Sequence, residues 1–484
     1  MKLSKNRLIA ASLLAVSVAG AAGIACQAEA ADLAKNQLQT NQAREDLRRD
    51  VTVIQERTQQ EAKPVDLRDL RVTVNNIVFQ QNDSISEDNL RCLLPALKKD
   101  KVNIYLLSKE IQLANDNCGV KLNADFRRAG ADSYDVYVSV VPQKQEFASI
   151  TIANNGTGYD TGEWRATASY VDKNVTGNGD TLGVAYVTAP GHWDNVQQAA
   201  ASYRWLLPSA HDTVTFTASY SKVDLGNVMN SNMPFDLTAN GKGTAVGLHY
   251  QHNLKYAANQ KDFIDFGFDY KKYDSDYSIL GTSLDAPDYN VKVLSATYVH
   301  SERQANQAFT WHGGIATNVG GINDEYLRND GSDSHFNLLK AGMNYQYRTE
   351  DDWIVGVRAN AQYSSNKVVS SERFGLGGQS SIRGFNERII SGDKGVSGSL
   401  EFMSPQIIKN GRMYIFTDMG QISSNQNNSS SRNLSSAGIG FRFSDPVNFW
   451  SIDLSYAKIL QGFDENNEPN NAYKRWNLMA TKTF

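Results

Sequence analysis

The sequence predicts a mainly β protein: a transmembrane antiparallel β-barrel of about sixteen strands, preceded by a small α+β domain and an N-terminal helix. Three observations carry this. From about Phe147 to Phe484, segment after segment alternates apolar and polar residues. Beyond the N-terminus, no stretch reaches the ~18 consecutive apolar residues that a membrane helix requires. Mean hydropathy is low at −0.45, yet the chain holds 22 tyrosines and 19 phenylalanines against 10 prolines. A barrel strand dilutes its apolar face with a polar lumen face, which reconciles low hydropathy with abundant aromatics.

The alternation is explicit. Val214, Phe216, Ala218 and Tyr220 are interleaved with threonine and serine. Val246, Leu248 and Tyr250 alternate with Gly247 and His249. Ile264, Phe266, Phe268 and Tyr270 alternate with Asp265, Gly267 and Asp269. Trp353, Val355, Val357, Ala359 and Ala361 alternate with Gly356, Arg358, Asn360 and Gln362. Period two places each set on one strand face. The runs reach about ten residues, the length of a tilted strand crossing a bilayer. Strands of a soluble sandwich average about half that. Aromatic residues near run ends, such as Tyr203, Trp205, Trp450 and Tyr456, fit interfacial girdles. Backbone edges cannot face lipid unpaired, so the strands must close on themselves.

Residues 1–30 read as a signal peptide. Lys2, Lys5 and Arg7 precede an apolar run from Leu8 to Ile24, and Ala28-Glu29-Ala30 supplies the small cleavage residues. Residues 31–66 are the N-terminal helix and linker; 32–62 are glutamine-rich, with Leu47, Val51 and Ile54 at helical spacing. They fit a thin helix that needs a docking partner, or a disordered linker.

Residues 67–146 form the α+β domain. A strand-like run holds Val72, Val74 and Ile77 to Phe79. Ser86-Glu87-Asp88 opens a helix that Pro95 should cut short. A second helix carries Leu107, Ile111 and Leu113, and two strands follow at Val120 to Arg127 and Tyr134 to Val141. Residues 147–484 are the barrel. Cys92 and Cys118, the two cysteines beyond the signal peptide, form an even pair in an exported domain. They are expected to form a disulfide, the alternative being two free thiols.

Composition excludes several classes. A formal net charge of −4 gives no basic domain for nucleic acid. Seven histidines include no H-E-x-x-H, and Gly395-Val396-Ser397-Gly398 misses the G-x-S-x-G nucleophile elbow by one position. No enzyme, metal or cofactor is expected.

The most informative stretch is Phe374-Gly375-Leu376-Gly377-Gly378-Gln379-Ser380-Ser381-Ile382-Arg383-Gly384-Phe385. It resembles the hallmark loop of two-partner secretion transporters, the haemolysin secretion and activation (TpsB-type) family. Tyr414-Ile415-Phe416-Thr417-Asp418-Met419-Gly420 resembles that family's D-x-G strand. The likeness continues through Asn154-Asn155-Gly156-Thr157-Gly158 to Arg165, as a first barrel hairpin. The domain at 67–146 resembles a POTRA module, and the glutamine-rich helix at 32–62 resembles the segment that plugs such barrels.

The resemblance implies a loop that folds back into the lumen, with Arg383 paired to Asp418. Gly377, Gly378, Ile382, Gly384, Phe385 and Gly420 then complete the latch. It further implies an outer-membrane location with a periplasmic N-terminal domain, a monomer embedded in outer-membrane lipid, and a secreted exoprotein client of haemolysin or adhesin type, unfolded in the periplasm. The family usually carries two POTRA modules; only one fits here. The alternatives are a barrel that inserts other outer-membrane proteins, or a solute porin.

Overall fold

The computed structural model describes residues 70–80, 85–156, 161–227, 237–279, 282–284, 288–425, 431–462 and 473–484. The expected signal peptide, the helix at 31–66, and Thr157 and Gly158 of the first hairpin lie outside the described residues.

The N-terminal module runs β1 (Arg71–Phe79), α1 (Glu87–Leu93), β2 (Lys101–Asn103), α2 (Ile104–Asn117), β3 (Val120–Arg128) and β4 (Ser133–Pro142). The sheet order is β2-β1-β4-β3, with β1 parallel to β4 and the other pairs antiparallel. Ser86 caps α1 by accepting the Asn89 N–H at 3.2 Å, with Glu87 and Asp88 favourably placed in the first turn. Pro95 ends α1 and opens a 3₁₀ turn, Pro95–Lys98. Asn103 caps α2 by accepting the Leu106 N–H. Leu90, Leu93, Leu94, Leu97, Leu107 and Leu113 pack on Val120, Leu122, Val136 and Val138.

Cys92 and Cys118 are free, which corrects the expected disulfide. Helical phase explains it. The apolar stripe of α1 runs through Leu90, Leu93 and Leu94, so Cys92 points to solvent. Cys118, beyond the end of α2, is buried in the core. Burial pushes its thiol up to about 12, with help from Asp180 and Asp116.

The barrel closes with sixteen antiparallel strands among the described residues, from Glu146–Ala153 to Trp476–Thr483. Its longest strands, Leu237–Tyr256 and Gln260–Ile279, each run 20 residues. Short turns at 208–211, 257–259 and 304–306 mark one end, where the module sits; longer connections leave the other. Phe216, Leu248, Phe266, Phe268, Ile315, Ile415 and Met419 point outward and stay exposed. A soluble monomer does not carry so large an apolar belt, whereas hydrocarbon covers it in a membrane. Trp205, Trp353 and Trp450 stand at the short-turn ends of their strands.

The seam joining the two terminal strands is brief: Met479 to Thr483 pair with Ala153 back to Ser149. Asn154 extends it with its side chain, donating to the Trp476 carbonyl and accepting the Leu478 N–H, each at 2.8 Å.

The module docks on the barrel's short turns. His211 Nε2 lies 2.8 Å from Glu110, whose carboxylate also accepts the Ala96 N–H. Lys109 Nζ donates to the Asn253 carbonyl at 2.6 Å, and Lys261 pairs with Asp116 at 2.9 Å. Burial holds the Lys109 ammonium below its usual range, although Asp212 opposes this. Leu206 and Tyr256 of the barrel join the module's core.

Candidate functional site

The site is built where the long connection between the strands Ile354–Tyr363 and Lys394–Met403 enters the barrel. Its two limbs, Phe374–Leu376 and Ile390–Gly392, pair antiparallel as a small ribbon. At the bend, Gly377 and Gly378 take φ of +110° and +94°, a region that suits glycine. The space beside each is filled: the Asn386 carbonyl lies against Gly377 and the Glu387 carboxylate against Gly378. Glu387 also accepts the Gln379 N–H at 2.7 Å.

Arg383 sits at the tip and is 3% exposed. Its Nε donates to Asp418 Oδ2 and its Nη2 to Asp418 Oδ1, both at 2.7 Å. Its backbone N–H also donates to Asp418 Oδ2, at 3.0 Å. Nη1 donates to Glu401 at 2.6 Å, and Nη2 to the Ser399 hydroxyl at 3.0 Å. The guanidinium lies 3.5 Å from the centre of the Phe416 ring. A planar fork fits this set as an ammonium could not. Asp418 is fully buried. An isolated charge there would be costly, so each ion secures the other.

The wall continues the pattern. Glu401 is 3.5 Å from Arg442, which pairs with Asp453 at 2.8 Å. Tyr414 donates to Asp453 at 2.6 Å. Three carboxylates, Asp418, Glu401 and Asp453, thus stand with Arg383 and Arg442 across neighbouring strands.

Apolar packing flanks the ion pair. Leu376, Ile382, Phe385 and Ile390 of the loop meet Ile422 and Leu434 of the wall. Gly384, at φ +96°, approaches the wall so closely that a Cβ would stand 3.1 Å from that of Ala457. Gly384–Phe385 also pairs with Tyr473–Lys474. Gly420, two residues beyond Asp418 on the same face, makes room for Leu376.

Every residue expected in the latch therefore meets in one place: Gly377, Gly378, Ile382, Arg383, Gly384, Phe385, Asp418 and Gly420. Cys92 and Cys118 lie apart, in the module. Ser399, Glu401, Phe416, Arg442 and Asp453 join the site without being marked by the sequence motifs. Tyr414, Phe416 and Asp418 share one alternating face, so Phe416 was readable; the other partners come from separate strands. Among the described residues, no cluster of side chains has the composition to hold a metal ion.

Comparison with known proteins places this architecture. A family model described as haemolysin secretion/activation protein ShlB/FhaC/HecB matches residues 132–443. The heme/hemopexin transporter protein HuxB of Haemophilus influenzae is 23% identical over 449 residues, covering 86% of this chain and 74% of that protein. Among solved structures, CdiB from Escherichia coli superposes with a TM-score of 0.71 at 17% identity, over 85% of this chain and 76% of the other. CdiB from Acinetobacter baumannii gives 0.67 at 18% identity, over 85% and 74%. BamA from Haemophilus ducreyi lacking POTRA domains 1–3 gives 0.54 at 13%, over 85% of each chain. At these identities the structural likeness speaks for the fold.

Proposed function

This chain belongs to the haemolysin secretion/activation family, and from that premise we propose that its inward loop is the gate of an export channel. It is an outer-membrane two-partner secretion transporter that exports a partner exoprotein. The family match favours this role over assembly of other outer-membrane proteins.

In the proposed mechanism the client is a large haemolysin- or adhesin-type protein, unfolded in the periplasm. The module at 67–146 acts as a POTRA domain and takes up a client strand along a sheet edge, where main-chain hydrogen bonds give affinity without strict sequence demands. Residues 1–30 direct secretion and are removed. The barrel works as a monomer in outer-membrane lipid. No bond chemistry is required; folding of the client outside disfavours its return.

One observation supports the gate above all: the buried, two-pronged Arg383–Asp418 pair at the loop tip. A charge pair of this kind fixes one register and resists partial displacement. Arg383→Ala tests it. The variant barrel should assemble, judged by its heat-dependent gel shift, and should lose most client export. Normal export by that variant would remove the role assigned to the loop.

A further inference from the structure

The loop touches the barrel through a second set of charges, away from Arg383. Glu372 lies at the root of the loop and is 5% exposed. Lys271 Nζ donates to its Oε1 at 2.7 Å, and Lys340 Nζ stands 3.8 Å from its Oε2. Gln362 donates its side-chain N–H to the Glu372 carbonyl at 2.9 Å. These partners lie on the strands Gln260–Ile279, Asn337–Arg348 and Ile354–Tyr363. The partners of Arg383 lie on Lys394–Met403 and Gly411–Ser423. The two sets share no strand.

We infer that Glu372, held by Lys271 and Lys340, is a second fastening of the inward loop, opposite in polarity to the one at Arg383 and separable from it. The inference rests on the gate reading above. The loop offers an acid at its root and a base at its tip, and the wall offers the complement at each place. Sliding the loop would bring like charges together, so the two fastenings fix its register jointly. Gly375, Gly377 and Gly378 lie between them, and the last two have the left-handed backbone that lets the chain bend sharply.

The root fastening carries a second loop with it. Arg373 Nη2 donates to Asp330 at 3.1 Å, at the end of α3 (Asp324–Asp330) in the neighbouring connection. Tyr326 of α3 stacks on Tyr289 with ring centres 4.0 Å apart. Val368 and Val369 are buried in the same cluster, with Phe336. The root and the tip thus each engage a different neighbouring connection: that of α3 at the root, and Tyr473–Lys474 at the tip. Release of the tip can proceed with the root in place, the loop swinging from its glycines.

The test uses the full chain in outer membranes, in a Cys92→Ser background, with one reporter thiol at a time. Ser371→Cys reports the root. Ser436→Cys reports the wall beneath Gly384, hence the tip; both serines are buried. A membrane-impermeant maleimide is added from outside. Glu372→Gln should raise labelling at position 371 by about tenfold or more, since losing one partner of a buried pair is strongly destabilising. It should leave position 436 protected. Arg383→Ala should do the reverse. Lys271→Met with Lys340→Met should mimic Glu372→Gln, and supplies the same reading if that variant fails to assemble. Continued protection of position 371 in both root variants would overturn the second fastening. Exposure of both positions by Arg383→Ala would show one rigid plug and overturn its separability. Loss of the gate reading shows elsewhere, as unaltered export by Arg383→Ala, whatever the labelling.

Discussion

Leu376 of the inward loop occupies the notch that Gly420 leaves in the barrel wall: a Cβ on that glycine would stand 2.8 Å from a Leu376 methyl and 3.1 Å from the Val396 carbonyl oxygen. The glycine of the D-x-G strand is therefore a receptor for the loop. Gly420→Val should weaken loop docking by about 1–3 kcal/mol through overpacking. Channel openings in a planar bilayer should become more frequent. Adding Leu376→Ala should recover part of the loss, because touching residues are not additive. Strictly additive effects would show that the two do not share this space.

The Arg383–Asp418 pair should not survive reversal. Asp418 Oδ2 accepts both the Arg383 side chain and its backbone N–H. An arginine at 418 would confront that N–H and leave it unpaired, a cost of about 1–3 kcal/mol. The double variant Arg383→Asp with Asp418→Arg should therefore remain defective in export. Full rescue would mean that charge alone, without the backbone bond, holds the loop.

The two module thiols should differ sharply in reactivity. The Cys118 thiol is pushed up to about 12 by burial, so near neutral pH it stays protonated. Maleimide should label the exposed Cys92 and leave the buried Cys118 silent in the folded protein. Reducing agent should not alter heat stability, since no bridge joins them. Counting labelled sites by mass spectrometry settles this; labelling of Cys118 without unfolding would contradict its burial.

Glu110 should matter to how the module sits on the barrel. It is 2% exposed and serves both the Ala96 N–H and His211. Glu110→Ala would strand that N–H, costing about 1–3 kcal/mol. Limited proteolysis should then cut the module faster while the barrel stays protected. Unchanged digestion would show that Lys109 and the Asp116–Lys261 pair are sufficient.

Much of this was readable from the chain. The alternating runs gave the barrel because an outward face in lipid must be apolar at every second residue. The loop and its aspartate were found through their resemblance to a known motif. What could not be read were partners brought together only by strand register. Glu401 and Ser399 reach Arg383 because Lys394–Met403 lies beside Gly411–Ser423. Glu372 finds Lys271 across about a hundred residues of chain. β2 has three residues, too few for any period to show. An even count of cysteines does not place them in contact; the stripe through Leu90, Leu93 and Leu94 sets Cys92 outside the core.

The short seam has a consequence for biogenesis. Its five backbone pairings join residues more than three hundred positions apart, so they carry the greatest loop-closure entropy of any pairing in the cylinder. They should form late, once both distant ends have been delivered. Until then a nascent sheet presents two raw margins to its surroundings, each able to recruit a stray chain. The stitch made by Asn154 falls at the point where such a sheet would otherwise begin to unzip.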